Sequence, residues 1–301
     1  MEIVHQDPHG FEQERNRWTL SGLASACDWL VGKSASGVYR ILERFHIHYK
    51  RAQGHLFSPD PNYRDKLADI RAILAQSQED PEHVVVLFAD EIGIYRQPTL
   101  AQAYECSGSR QPLAQLGWRT NLCVRVAGGL NVWSGRVTYQ MKSKFTIAAM
   151  RGFYEALAAD YPNANVIYVI EDNWPLHYHP DVLAALEPQV FKYPLYQPGN
   201  WPKEPSAKAP RLNLPIQLVL LPTYAPWTNP IEKLWRRLRQ EELHLHRFGD
   251  HWEALKQCVR SYLDGFTCGS DDLLRYVGLS DPMRLYQAAW QVQNKCVSAR
   301  C

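Results

Sequence analysis

Nowhere in the 301 residues do about 18 apolar positions run together, as a membrane-crossing helix would require. Met1 to Arg17 is polar and acidic, without the apolar stretch of a secretory signal. Secretion and membrane insertion are therefore not expected, and a cytoplasmic setting is. The 7 cysteines are odd in number and include no Cys-x-x-Cys pair, which excludes a zinc ribbon and a disulfide framework. His177-Tyr178-His179 and His244-Leu245-His246 lack cysteine or acidic partners at ligand spacing, so they do not read as zinc sites. Gly32-Lys33-Ser34 has Cys27 where a phosphate-binding loop needs its first glycine, which excludes that motif. A large net charge is also missing. The formal value is +2, and this decides nothing, because one basic face can be offset by the rest of the surface.

What is present is enough apolar and aromatic residue, 46% and 12%, for one large domain with a smaller one beside it. Leu20 to Leu30 has apolar residues at helical spacing, and a polar turn leads to a second helix from about Ala35 to Phe45, a helix-turn-helix pattern. Val38, Ile41, Leu42 and Phe45 share one face, while Lys33, Ser36, Arg40 and Arg44 fall elsewhere. Lys33, Arg40, Arg44, Lys50 and Arg51 oppose Glu43 alone, a local +4 suited to duplex DNA.

Tyr63 to Gln76 carries Leu67, Ile70, Ile73 and Leu74 on one stripe and reads as a connecting helix. A strand is expected at Val84 to Ala89, then two more near Leu122 to Ala127 and Gly135 to Gln140, with Gly128-Gly129 and Asn131 as turn residues. These three strands read as antiparallel. A helix from Thr146 to Ala159, a strand from Val166 to Ile170, a short helix near Asp181 to Leu186, a strand from Ile216 to Leu221 and a helix opening at Asn229 follow. Gln189 to Leu214 holds five prolines and reads as a surface insertion.

Three acidic residues occupy corresponding places in this pattern. Asp90 and Asp172 follow two apolar strands, and Glu232 lies in the first turn of a later helix. The carboxyl ends of neighbouring parallel strands form a crevice where ligands bind, and a helix beside it can add a third carboxylate. Such hard oxygen donors suit magnesium or manganese, and a phosphodiester is attacked where two such ions neutralise it. Each residue also has a plainer reading. Asp90-Glu91 and Asp172-Asn173 can begin loops, and Asn229-Pro230-x-Glu232 has the form of a helix capping box.

The segments Phe88-Ala89-Asp90-Glu91 and Ile170-Glu171-Asp172-Asn173 with His177, followed by the run from Leu221 to Trp235 (LPTYAPWTNPIEKLW), resemble the DDE transposases of bacterial insertion sequences related to mariner elements. The resemblance runs from about Trp18 to Gly249. It implies a ribonuclease-H-like α/β domain, a mixed sheet flanked by helices, that cuts element ends and joins them to target DNA. It also implies that Asp90, Asp172 and Glu232 bind two Mg2+ or Mn2+ ions, with Asn173 and His177 supporting them. Only 89 residues precede Asp90, room for one DNA-binding module where the family usually carries two, which is the pattern of a shortened reading frame. Sixty positions separate Asp172 from Glu232, longer than mariner spacing, and the proline-rich insertion accounts for the excess.

The expected organisation is a polar tail (1–17), a helix-turn-helix module (18–56), a connecting helix (57–80), a catalytic domain (81–265, insertion 189–214) and a C-terminal helical extension (266–301). Lys33, Ser36, Arg40, Arg44, Lys50, Arg51, Lys233, Arg236 and Arg237 are the candidate DNA contacts. The partner is double-stranded DNA, both element ends and target, without a membrane. Two ends held together imply a homodimer working on the nucleoid. Two other readings compete: a catalytically silent DNA-binding relic of a transposase, and a two-metal nuclease or phosphatase unconnected with mobile DNA. The second would have no need of residues 18–51.

Overall fold

A continuous apolar run before Asp90 sets the architecture. In the computed structural model, which describes residues 2–50 and 58–284, Val84–Tyr95 forms a twelve-residue strand, β1, buried on both faces over its first half. It is central to a five-stranded sheet ordered β3-β2-β1-β4-β5. β2 (Cys123–Asn131) pairs antiparallel with β1, and β3 (Val137–Lys142) antiparallel with β2. β4 (Val166–Glu171) runs parallel to β1, and β5 (Ile216–Leu220) parallel to β4.

Each sheet face has its own core, because successive side chains of a strand point to opposite sides. Val86, Phe88, Ile92 and Ile94 pack against α3 (Tyr63–Glu79), α6 (Ile231–Leu238), α7 (Trp252–Asp264) and α8 (Asp271–Val277). Val85, Leu87 and Ala89 pack against α4 (Ile147–Asp160) and the short α5 (Pro180–Leu183). A mixed sheet flanked by helices, with two parallel strands beyond three antiparallel ones, is the ribonuclease-H-like arrangement.

Several expectations change. The helix expected as a connector buries Leu67, Ile70 and Leu74 completely in the first core, so α3 is a layer of the domain. Leu273 and Val277 of α8 join the same core, so limits at 81 and 265 would cut through it; residues 285–301 lie outside those described. Gly128-Gly129 stands inside β2, paired with Asp90 and Ala89, and makes no turn. Glycine is required there by packing. A Cβ on Gly128 would come within 2.6 Å of the Trp235 ring, and one on Gly129 within 2.9 Å of Leu157. The turn lies downstream, where Asn131 Oδ1 accepts from the N–H groups of Trp133 and Ser134 and Gly135 takes φ +66°.

The chain divides into two units at residues 55/56. In the first, α1 (Leu20–Ala26) and α2 (Ala35–Arg44) enclose Leu23, Leu30 and Val38. Thr19 and Ser34 cap them by accepting from the Gly22 and Gly37 N–H groups. The first helix ends at Ala26 rather than Leu30; Asp28–Leu30 is a separate 3-10 turn. The expected polar tail is also folded, since Ile3 and Val4 pack on this small core and Phe11 lies against Trp18.

Candidate active site

Register brings the first two carboxylates together. Phe88 of β1 is paired with Ile170 of the parallel β4, so Asp90 and Asp172 stand two residues beyond one rung, with strands about 4.8 Å apart. β1 does not end there, as the sequence suggested, because β2 continues to pair with it as far as Tyr95. The free edge at Asp90 exists only because β4 has stopped. Glu232 enters from the first turn of α6, whose Ile231, Leu234, Trp235 and Leu238 are buried. All three carboxylates line one cavity of about 660 Å³.

Their charges act on one another. Burial, then Glu232 and Glu91, push the Asp90 carboxyl well above its ordinary range, with Asp172 adding to it. Burial raises Glu232 too, against Arg239 and Arg236, which favour its charged form. Asp172 behaves oppositely: burial pushes it up, but His177 beside it and the Trp174 N–H, 2.9 Å from Oδ1, outweigh this and hold it low. Among the described residues no three acidic, histidine or cysteine side chains stand close enough together to hold a metal ion as they lie. The donor chemistry nevertheless fits a divalent cation. Three oxygen-donor carboxylates line one cavity, and Asp172, held at Oδ1, is 57% exposed at its side chain.

Strand alternation also explains a second acidic group. Each carboxylate of the first pair has an acidic neighbour, Glu91 after Asp90 and Glu171 before Asp172, and these point to the other face of the sheet. There they meet His177. Its Nδ1 lies 3.2 Å from Glu171 and its Nε2 lies 3.8 Å from Glu91 and 3.5 Å from Asp172. Tyr154 donates its hydroxyl to Glu171 at 2.9 Å and stands 3.0 Å from His177 Nδ1. Burial alone would neutralise His177, but Glu171, Glu91 and Asp172 outweigh it and raise its affinity for a proton. Burial raises Glu171 and Glu91, with His177 opposing in both. The sequence signal for Glu91 and Glu171 is the acidic doublet at each strand end, and nothing local marks Tyr154. One member of such a doublet must turn inward, and an inward carboxylate needs a cation.

The Glu232 helix is not entered through a capping box. Asn229 donates Nδ2 to the Ala89 carbonyl at 3.0 Å, and α6 begins with no side-chain cap. The loop before it is bolted from the start of α3. Asp60 accepts from the Thr223 N–H and from Lys66 Nζ, at 2.9 and 2.8 Å, and Lys66 also donates to the Leu221 carbonyl. Asn173 Nδ2 reaches that same carbonyl at 2.9 Å, so it supports the Glu232 loop. The Asp60–Lys66 pair is almost wholly buried.

A sequence profile of the DDE superfamily endonuclease family matches residues 85–256, which contain all three carboxylates. The chain belongs to the DDE superfamily endonucleases. A protein of Shigella sonnei described as the uncharacterised 39 kDa protein of insertion element IS630 is 27% identical over 266 residues, 87% of this chain and 68% of that relative. The fold is similar to that of the Mos1 transposase paired-end complex with the left transposon end (16% identity, TM-score 0.59, 93% of this chain and 75% of that one). It is also similar to that of the Mos1 mariner paired-end complex with Mn (16%, 0.57, 93% and 75%).

In this endonuclease the candidate DNA contacts divide. Lys33, Ser36, Arg40, Arg44 and Lys50 are exposed on the first unit, and Arg51 lies outside the described residues. Arg236 is exposed on α6, but its neighbours are engaged. Lys233 donates to the Val277 carbonyl at 2.6 Å, tying α6 to α8. Arg237 pairs with Glu241 and Asp272 and lies over Tyr276, so its charge is spent within the protein. Arg239, on the same basic stretch, is exposed and favours the charged form of Glu232.

Proposed function

We propose that this endonuclease is the transposase of an insertion element, cutting DNA at the element ends and joining those ends to target DNA, with Asp90, Asp172 and Glu232 as its metal-binding carboxylates. The observation that carries the reading is the convergence of these three, from β1, the end of β4 and α6, on one cavity within the region matching the family. The relative from an IS630 element and the fold shared with Mos1 complexes on transposon-end DNA support it.

Two magnesium or manganese ions held by the three carboxylates supply positive charge and Lewis acidity toward a phosphodiester. Mos1 complexes with Mn and with Mg support that choice. The chain's own residues prepare the site. The Trp174 N–H and His177 hold Asp172 Oδ1, leaving its other oxygen for the cavity. Asn229, Asp60, Lys66 and Asn173 fix the loop that presents Glu232. Arg236 and Arg239 meet substrate phosphates beside it. Arg40 and Arg44 of α2, with Lys33, Ser36 and Lys50, hold duplex DNA at the first unit.

The test uses the full chain, Mn2+, a duplex made from the DNA on either side of the gene, where inverted repeats are expected, and a plasmid target. Cleavage at the repeat ends and covalent joining of the released 3′ ends to the plasmid are expected. Cleavage without regard to the repeats and without joining would make the protein a general nuclease instead.

A further inference from the structure

Four aromatic side chains line the carboxylate cavity, and they fall into two kinds. Trp174 and Tyr193 are fastened within the protein. Trp174 stands edge-on to His177 with ring centroids 5.4 Å apart, and Tyr193 donates to Asp69 at 2.5 Å. Tyr196 and Tyr224 are 77% and 71% exposed, and neither has a hydrogen-bond or ring partner among the described residues.

Their exposure is imposed by the chain around them. Thr223 is held at both backbone groups, by Asp60 and Ser58, and Ala225 is buried. Between these fixed points Tyr224 takes φ +53°, a left-handed conformation that side chains such as tyrosine rarely adopt. Strain of this kind persists only where surrounding structure enforces it, and it concentrates at ligand sites. Tyr196 comes from the proline-rich segment between α5 and β5. That segment is anchored on both sides, by Tyr193 and by Gln197, which donates to the Tyr178 carbonyl at 3.0 Å. Two separate loops thus hold two unpartnered aromatic rings on the cavity that contains the three carboxylates.

A flat apolar ring beside a phosphodiester-cutting centre matches the π face of a nucleobase, and such stacking is available to every base. A base inside an intact duplex already stacks on its neighbours, so only an unpaired one can occupy these rings. We propose that Tyr196 and Tyr224 form a stacking site for one unpaired nucleobase next to the phosphate that reaches the carboxylates. The proposal rests on the cavity being the nuclease centre. It adds that the enzyme opens the duplex locally in order to bind it.

Equilibrium binding in Ca2+ tests this without cleavage. The full chain and its Tyr196→Ala, Tyr224→Ala, Tyr196→Phe and Tyr224→Phe variants are titrated against an element-end duplex. The titration is repeated with an abasic nucleotide at each position flanking the scissile phosphate in turn. On the intact duplex the alanine variants bind about ten-fold more weakly, and the phenylalanine variants like wild type. At one abasic position wild type falls to the level of the alanine variants, which lose nothing further. Alanine variants equal to wild type on every duplex overturn the proposal. So does an alanine penalty that persists undiminished at every abasic position, or a chain that binds none of the duplexes. A base-dependent penalty in a protein that never cuts in Mn2+ leaves the stacking site standing and removes the nuclease reading alone.

Discussion

Asn229 donates its side-chain amide to the carbonyl of Ala89, 3.0 Å away, and so ties the entry to the Glu232 helix to the strand residue that precedes Asp90. The segments that carry Asp90 and Glu232 are therefore tied by one buried hydrogen bond. Asn229→Ala removes it and should cost about 1–3 kcal/mol in urea unfolding, because a buried polar tie is lost. Cleavage should fall more than that loss explains, since the separation of Asp90 and Glu232 is no longer fixed. Unchanged stability and unchanged cleavage would show that the tie positions nothing.

His177 stands against three acidic side chains at once, Glu91, Glu171 and Asp172. His177→Gln leaves buried negative charge uncompensated and should destabilise the protein by about 3–5 kcal/mol, read by denaturant unfolding. Adding Glu171→Gln should restore a large part, because the two losses are not independent. Additive losses would mean that the cluster is not electrostatically coupled.

The Asp60–Lys66 pair gives stability a pH dependence of definite sign. Burial would raise Asp60, but Lys66 and the N–H groups of Thr223 and Asn62 outweigh it and hold the carboxyl below its ordinary 3.8. A carboxyl lowered by folding contributes stability above its unfolded value and loses that contribution as pH falls through the folded one. Asp60→Asn should therefore cost most near neutrality, and the difference from wild type should shrink as pH drops below 3.8. A difference constant with pH would remove the ion pair as its cause.

On the first unit, Arg40 and Arg44 are exposed on the helix that follows the Ser34 cap. Replacing either with alanine should weaken duplex binding and lower the slope of log affinity against log salt by about 1. A lower affinity with an unchanged slope would assign these residues to base contacts rather than phosphates.

Legibility in the sequence followed the range of the forces involved. Apolar runs and helical spacing record burial, so the five strands, most of the helices and the places of Asp90, Asp172 and Glu232 could be read locally, whereas α7 was not. Gly128-Gly129 could not, since the reason for glycine there is Trp235, more than a hundred positions away, and Leu157. Asn229 misled for a similar reason. Its spacing to Glu232 satisfies a capping box, but a strand carbonyl outside the helix takes its amide. Lys233 and Arg237 look like free charges until α8 is placed against α6.

The proposed role of Asp90, Asp172 and Glu232 is to hold together the ions with which DNA is cut. Single-turnover cleavage of an element-end duplex in Mn2+, measured for Asp90→Asn, Asp172→Asn and Glu232→Gln with folding checked by thermal melting, tests it most directly. Each variant should stay folded, because Asp90→Asn and Glu232→Gln relieve repulsion among like charges and the Asp172 side chain is more than half exposed, and each should lose cleavage by at least about a thousand-fold, several kcal/mol of transition-state stabilisation. A folded Glu232→Gln protein that cuts at near the wild-type rate would contradict the assignment.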